Sequence, residues 1–176
     1  MMEMLKLAAV TVVTVVVTVV LHELGHLAAA KALGYEAIIR LNSVSVIGGT
    51  HSVRDAIIID AAGPLVTLVI AAIGLAMAHR PGGLGATIVF AALMMRILAT
   101  AVSIGNPNDE ARISSVLGLG MWTLPALVVA ILLWMMVLVA RRSETGPKWF
   151  AVSWIGASIG FTGVVFGERF LPAIPV

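Results

Sequence analysis

The chain has 176 residues, of which 60% are hydrophobic and only 11% are charged. Soluble domains carry about 25% charged residues, so we expect most of this chain to lie in lipid, as a single domain spanning residues 1–176. The absence of cysteine excludes disulfides and thiolate metal ligands, and a net charge of +2 without any basic run argues against nucleic acid as a partner.

A helix needs about 20 mostly apolar residues to cross a bilayer. Five segments approach this length, and each is predicted to be a membrane-spanning helix: about 5–33, 56–78, 84–105, 118–140 and 149–166. The first is too long for a cleavable signal peptide and should remain as an anchor. The sequence therefore predicts an all-α, multi-pass integral membrane protein with about five transmembrane helices in contact with the lipid bilayer.

Residues 37–53, which connect the first two segments, differ from the other connections. They contain several β-branched residues in partial alternation, and Gly48 and Gly49 then interrupt the pattern. We predict a small β-hairpin or pair of strands here. It should lie at the interface or be covered by protein, because open strand edges are not tolerated in lipid. A free edge of such a strand could pair with an extended peptide.

The strongest chemical signal is the sequence HELGH at residues 22–26. Histidines four residues apart lie on one face of a helix, so His22 and His26 can bind a single ion. Zinc accepts neutral imidazole and keeps a water molecule when only three protein ligands are present. Glu23 is placed to take a proton from that water, which the metal makes more acidic. The motif predicts a catalytic zinc site on the first helix.

The competing interpretation is that His22 and Glu23 are interfacial residues with no metal. A polar stripe argues against it, because small and polar residues recur at three- and four-residue spacing on an otherwise Val-rich helix. Such a stripe should face protein or a water-filled cavity. The residues of the stripe are Thr11, Thr14, Thr18, His22, Gly25 and His26.

A third metal ligand is required, and the sequence offers Asp109, Asp60, His51 and Asn108 as candidates. Asn108 could instead cap a short helix that begins at Asp109, because acidic residues are favoured in a first helical turn. The two roles are compatible, since a residue at the start of a helix can also bind a metal.

Two further features lie inside the predicted membrane segments. Arg96 is costly there and needs a partner. We expect an ion pair with Asp60, with a role in orienting the metal-bound aspartate or an oxyanion as the alternative. Gly63 and Pro64 interrupt the second helix and should allow close packing against the first.

Three stretches of the sequence together resemble the site-2 protease family of intramembrane metalloproteases (peptidase family M50, M50B-like branch). They are HELGH in the first helix, GGTHSVRDAIIIDAAGP in the following connection, and NPNDEARISSVLGLG after the third helix. The similarity covers about residues 21–120. It implies a catalytic core within about residues 5–120 and accessory helices within about residues 121–176.

The resemblance also implies a function. His22, His26 and Asp109 would bind Zn²⁺, and Glu23 would be the general base in hydrolysis of peptide bonds in or near a substrate's transmembrane segment. In this family the active site faces the cytosol, here from the cell membrane. Charge counting does not decide the orientation, because the Lys and Arg residues other than Arg96 divide five against five between the two sides.

The sequence departs from the family pattern at two places. Glu110 follows the aspartate, where the family has glycine, and Thr67 stands where the family often has an asparagine that contacts substrate. Other polar residues are therefore candidates for contacting the substrate or the transition state: Asn106, Asn108, His51 and Arg96. The alternative functions are a non-catalytic membrane protein that binds a membrane partner, and a metal-binding or transport protein. The presence of Glu23 favours the enzyme.

Overall fold

The computed structural model describes residues 2–50, 52–79, 83–143 and 145–176. These residues form six α-helices and a small sheet. The elements are α1 (Met2–Ala32), β1 (Ala37–Ile39), β2 (Val44–Val46), α2 (Val53–Ala76), α3 (Leu84–Val102), α4 (Asp109–Val116), α5 (Thr123–Arg142), α6 (Pro147–Gly167) and β3 (Ile174–Pro175). All the helices except α4 are long and apolar enough to cross a membrane. The predicted all-α, multi-pass membrane fold is confirmed.

The polar stripe of α1 faces the interior of the bundle, as predicted. Thr11 and Thr18 are almost fully buried, and both histidines of the motif are less than 7% exposed. Each threonine hydroxyl donates a hydrogen bond of 2.8 Å to the carbonyl four residues earlier. The stripe can therefore be buried without leaving its hydroxyl groups unsatisfied.

Two helices approach α1 so closely that only glycine fits at the crossings. A Cβ atom on Gly25 would lie 2.9 Å from Val66 Cγ2 and 3.0 Å from the Ala62 carbonyl oxygen of α2. A Cβ atom on Gly156 of α6 would lie 2.7 Å from the Ala8 carbonyl oxygen. Small residues allow this backbone-to-backbone packing in lipid. The C-terminal helix thus packs directly on the helix that carries the HELGH motif.

The predicted hairpin is present, and a third strand joins it. β1 pairs antiparallel with β2 on one side and with β3 on the other. Ala37 and Val176 exchange backbone hydrogen bonds of 3.0 and 2.8 Å beyond the end of β3. Pro175 stands opposite Ile38, between hydrogen-bonded pairs, where its missing N–H costs the sheet nothing.

The connection between α3 and α5 contains the short helix α4. The predicted fourth span began at residue 118, but α5 begins only at Thr123. Gly118 and Gly120 adopt positive φ angles of 70° and 82°, which end α4 and turn the chain before the next span. Asn108 caps α4 by accepting a 2.9 Å hydrogen bond from the Ala111 N–H, so the predicted short capped helix is confirmed.

Candidate metal centre

Three side chains from α1 and α4 converge at the centre of the bundle. Nε2 of His22 and Nε2 of His26 lie 3.1 Å apart. Oδ2 of Asp109 lies 3.2 Å from the first nitrogen and 3.5 Å from the second. Tetrahedral zinc with bonds of about 2.0–2.2 Å separates its ligand atoms by roughly 3.3–3.5 Å. The three observed distances are close to this spacing, so the three atoms could together bind one metal ion.

The other nitrogen of each imidazole is hydrogen-bonded on the side away from this centre. His26 Nδ1 lies 2.7 Å from the carbonyl oxygen of Ile59, which can only accept. His22 Nδ1 lies 3.0 Å from Thr67 Oγ1, and the Thr67 hydroxyl in turn donates to the carbonyl of Gly63 at 3.2 Å. Nδ1 can therefore be the protonated nitrogen of each ring, which leaves Nε2 as the nitrogen that could bind a metal.

Both carboxylate oxygens of Asp109 are held by arginine. Arg112 Nη2 donates to Oδ1 at 2.8 Å, and Arg96 Nη1 donates to Oδ2 at 3.3 Å. These two guanidinium groups favour the ionised form of the carboxylate, which is the form that binds metals.

The predicted ion pair between Arg96 and Asp60 is wrong. Arg96 contacts Asp109 and Glu110 instead, and Asp60 binds Arg112 at 2.7 and 2.9 Å. The physical reason is α4, which packs against α2. Its first turn carries two carboxylates to Arg96, and Arg112 reaches across to Asp60.

The three converging side chains line a cavity of about 400 Å³. Glu23 lines the same cavity and is only 7% exposed, so the structure does not support the interpretation of His22 and Glu23 as exposed interfacial residues. Phe161 and Val165 of α6 contribute apolar wall. At about 30 Å³ per water molecule, the cavity has room for roughly ten waters or for a short peptide segment.

A second, more apolar cavity of about 250 Å³ adjoins the first at Glu23. Val20 of α1, Ile39 and Leu41 from the hairpin, and Ile174 of β3 are among its lining residues. Glu23 thus lines both the cavity that contains the candidate ligands and the more apolar cavity beside the sheet.

The remaining predicted site residues differ in their position relative to the converging group. Asn106 lines the larger cavity but is exposed. Asn108 lines it as well, and its buried Nδ2 atom has no hydrogen-bond partner among the described residues. His51 lies outside the described residues. The candidate ligand Asp60 is paired with Arg112 and is not part of the converging group.

Sequence analysis did not identify the residues that support the two imidazoles. Thr67 was noted only as a departure from the family pattern, and Gly63 only as a packing residue. A Cβ atom on Gly63 would lie 2.6 Å from Cε1 of each imidazole, so the glycine makes room for both rings. The available signal was the four-residue spacing of Gly63 and Thr67, which places both on one face of α2.

No family model, curated protein or solved structure matches this chain. The fold and the site define a multi-pass membrane protein with a buried group of potential metal ligands, His22, His26 and Asp109. The chemistry of this group is therefore the main indication of what the protein does.

Proposed function

We propose that this chain is an intramembrane zinc metalloprotease of the site-2 protease type. His22, His26 and Asp109 bind the zinc ion, and Glu23 is the general base. The observation that carries the proposal is the convergence of three ligand atoms, none more than 3.5 Å from the next, on a cavity that Glu23 also lines. Two imidazoles and one carboxylate with an open fourth position are typical of catalytic zinc.

The charges around the cavity support a divalent ion. Carboxyl groups outnumber guanidinium groups here by four to two. Uncompensated negative charge is expensive in a protein interior and more so in a membrane, so this excess favours a bound cation. The six charged residues are Glu23, Asp60, Arg96, Asp109, Glu110 and Arg112.

The residues of the chain then have distinct tasks in peptide hydrolysis. When bound, zinc would supply a Lewis acid and lower the pKa of a water molecule toward about 7. The Glu23 carboxylate takes a proton from the attacking water and later gives it to the leaving amine. Thr67 and the Ile59 carbonyl hold the two imidazoles in the orientation that leaves Nε2 free.

The position of the cavity supports a membrane-embedded substrate. It lies among helices that are apolar enough to span a bilayer, and residues of α1 and α6 form part of its wall. We propose peptide or membrane-protein substrates that are cleaved in or near a transmembrane segment. As in the family that the sequence resembles, the active site would face the cytosol from the cell membrane.

The decisive experiment compares the wild type with Glu23→Gln on a panel of membrane-anchored peptides. We expect both proteins to bind about one zinc ion per chain, and we expect the variant to lose about 10²- to 10⁴-fold in cleavage rate. Glu3→Gln, which changes an exposed carboxylate on the same helix, is the matched control and should cleave normally.

Cleavage that survives Glu23→Gln, or a wild type without bound metal, would refute the proposal. Stoichiometric zinc in a wild type that cleaves no peptide would favour the non-catalytic membrane protein instead.

A further inference from the structure

Arg96 is a buried cation with more carboxylate contacts than its charge requires. It is 3% exposed, and its Nη1 atom lies 3.1 Å from each carboxylate oxygen of Glu110. Glu110 is also 3% exposed, so this ion pair is closed to solvent and neutral by itself. The additional contact, 3.3 Å from the same Nη1 to Asp109 Oδ2, is not needed to neutralise the arginine.

The oxygen that Arg96 contacts is the one that faces the two imidazoles. Asp109 Oδ2 lies 3.2 Å from His22 Nε2, while Oδ1 is bound by Arg112. Arg112 is itself bound through two nitrogens to Asp60 of α2. Arg96 of α3 thus holds one oxygen of the Asp109 carboxylate. Arg112, which is anchored to Asp60 of α2, holds the other oxygen. Rotation about its Cβ–Cγ bond would break at least one of these contacts.

We propose that Arg96, oriented by Glu110, is a positioning residue for the Asp109 carboxylate and thereby sets the metal affinity of the centre. This inference rests on the metal centre of the proposed function but not on protease activity. Partners that orient a metal ligand typically contribute 10- to 100-fold to affinity. If the Arg96–Glu110 ion pair only stabilised the fold, removing both of its charges together would leave the metal affinity unchanged.

The test separates positioning from stability with a compensated double variant. Arg96→Met alone leaves Glu110 buried and unpaired, so it should lower both the thermal midpoint and the zinc affinity. Arg96→Met with Glu110→Gln removes both charges and should recover most of the thermal midpoint. We expect the double variant to bind zinc 10- to 100-fold more weakly than the wild type, measured by competition with a chromophoric chelator.

Two further variants complete the design. Arg96→Lys retains a cation at this position and should recover part of the lost affinity. Arg142→Met removes an exposed arginine and should change neither measurement. The visible spectrum of the Co²⁺-substituted double variant should differ from that of the wild type, because the carboxylate ligand is no longer fixed.

A double variant with wild-type zinc affinity and an unchanged Co²⁺ spectrum would overturn the inference while leaving the metal centre intact. A wild type that binds neither Zn²⁺ nor Co²⁺ would overturn both. Reduced affinity in a stable double variant would support the positioning role even if no substrate is cleaved.

Discussion

Gly63 offers the sharpest single test of the site, because it lies against both imidazoles. A Cβ atom at this position would lie 2.6 Å from Cε1 of His22 and of His26, whereas ordinary contact begins at 3.4 Å. The same Cβ atom would lie closer still to Nε2 of His26, so Gly63→Ala requires a displacement of at least about 0.8 Å, whereas metal sites tolerate deviations of about 0.2 Å. We expect zinc affinity to fall at least 100-fold, which corresponds to about 2.7 kcal/mol.

The fold should survive this substitution. Overpacking costs about 1–3 kcal/mol, and replacing glycine by alanine inside a helix returns about 1 kcal/mol. The unfolding free energy should therefore fall by no more than about 2 kcal/mol while zinc binding is largely lost. Zinc affinity by chelator competition and the thermal midpoint of the metal-free protein measure the two effects separately.

Gly163→Ala is the matched control, since a Cβ atom there meets nothing within 4 Å. It should bind zinc as the wild type does. If Gly63→Ala also binds zinc within threefold of the wild type, the imidazoles do not lie where the structure places them, and the argument for the centre fails.

Three other predictions follow from the same contacts. Thr67→Val removes the acceptor for His22 Nδ1 and should weaken zinc binding 10- to 100-fold, while Thr67→Ser should restore it; equal affinity of the valine variant would exclude this support. Removal of zinc by a chelator should lower the thermal midpoint, because free metal at 100 times its dissociation constant stabilises the folded state by about 2.7 kcal/mol. Identical melting curves with and without chelator would contradict a bound ion. Asn108→Ala should cost about 1 kcal/mol in unfolding free energy by removing the cap of α4, and Asn108→Ser should recover most of it; denaturant titration of both variants checks the sign and the size.

The first helix was the most predictable part of the molecule. Its buried face follows directly from the spacing of threonines and histidines along a helix of known period, so the sequence alone indicates which side avoids lipid. The convergence of His22 and His26 also follows from local geometry. Asp109 is different, because only its order along the chain, matched to a family motif, favoured it over Asp60.

The partners of Arg96 could not be predicted because they depend on the packing of helices that are distant in sequence. The alternatives Asp60, Asp109 and Glu110 are all carboxylates, and the choice among them depends on how α4 packs against α2 and α5. β3 was missed because two residues, one of them proline, carry no strand pattern that a sequence could reveal. The hairpin, by contrast, is a local element, and its β-branched residues could be recognised in the sequence.

The pairing of β1 on both sides determines how a peptide could join the sheet. In the part of the chain that the structure describes, the order β2-β1-β3 leaves the outer edges of β2 and β3 as the unpaired ones. A peptide that pairs with β1 on the side of β3 has to displace residues 174–176. A tethered segment acts at an effective concentration in the millimolar range, so a micromolar peptide would need roughly a thousandfold stronger intrinsic binding to replace it. Weakly binding peptides therefore do not displace residues 174–176 from β1.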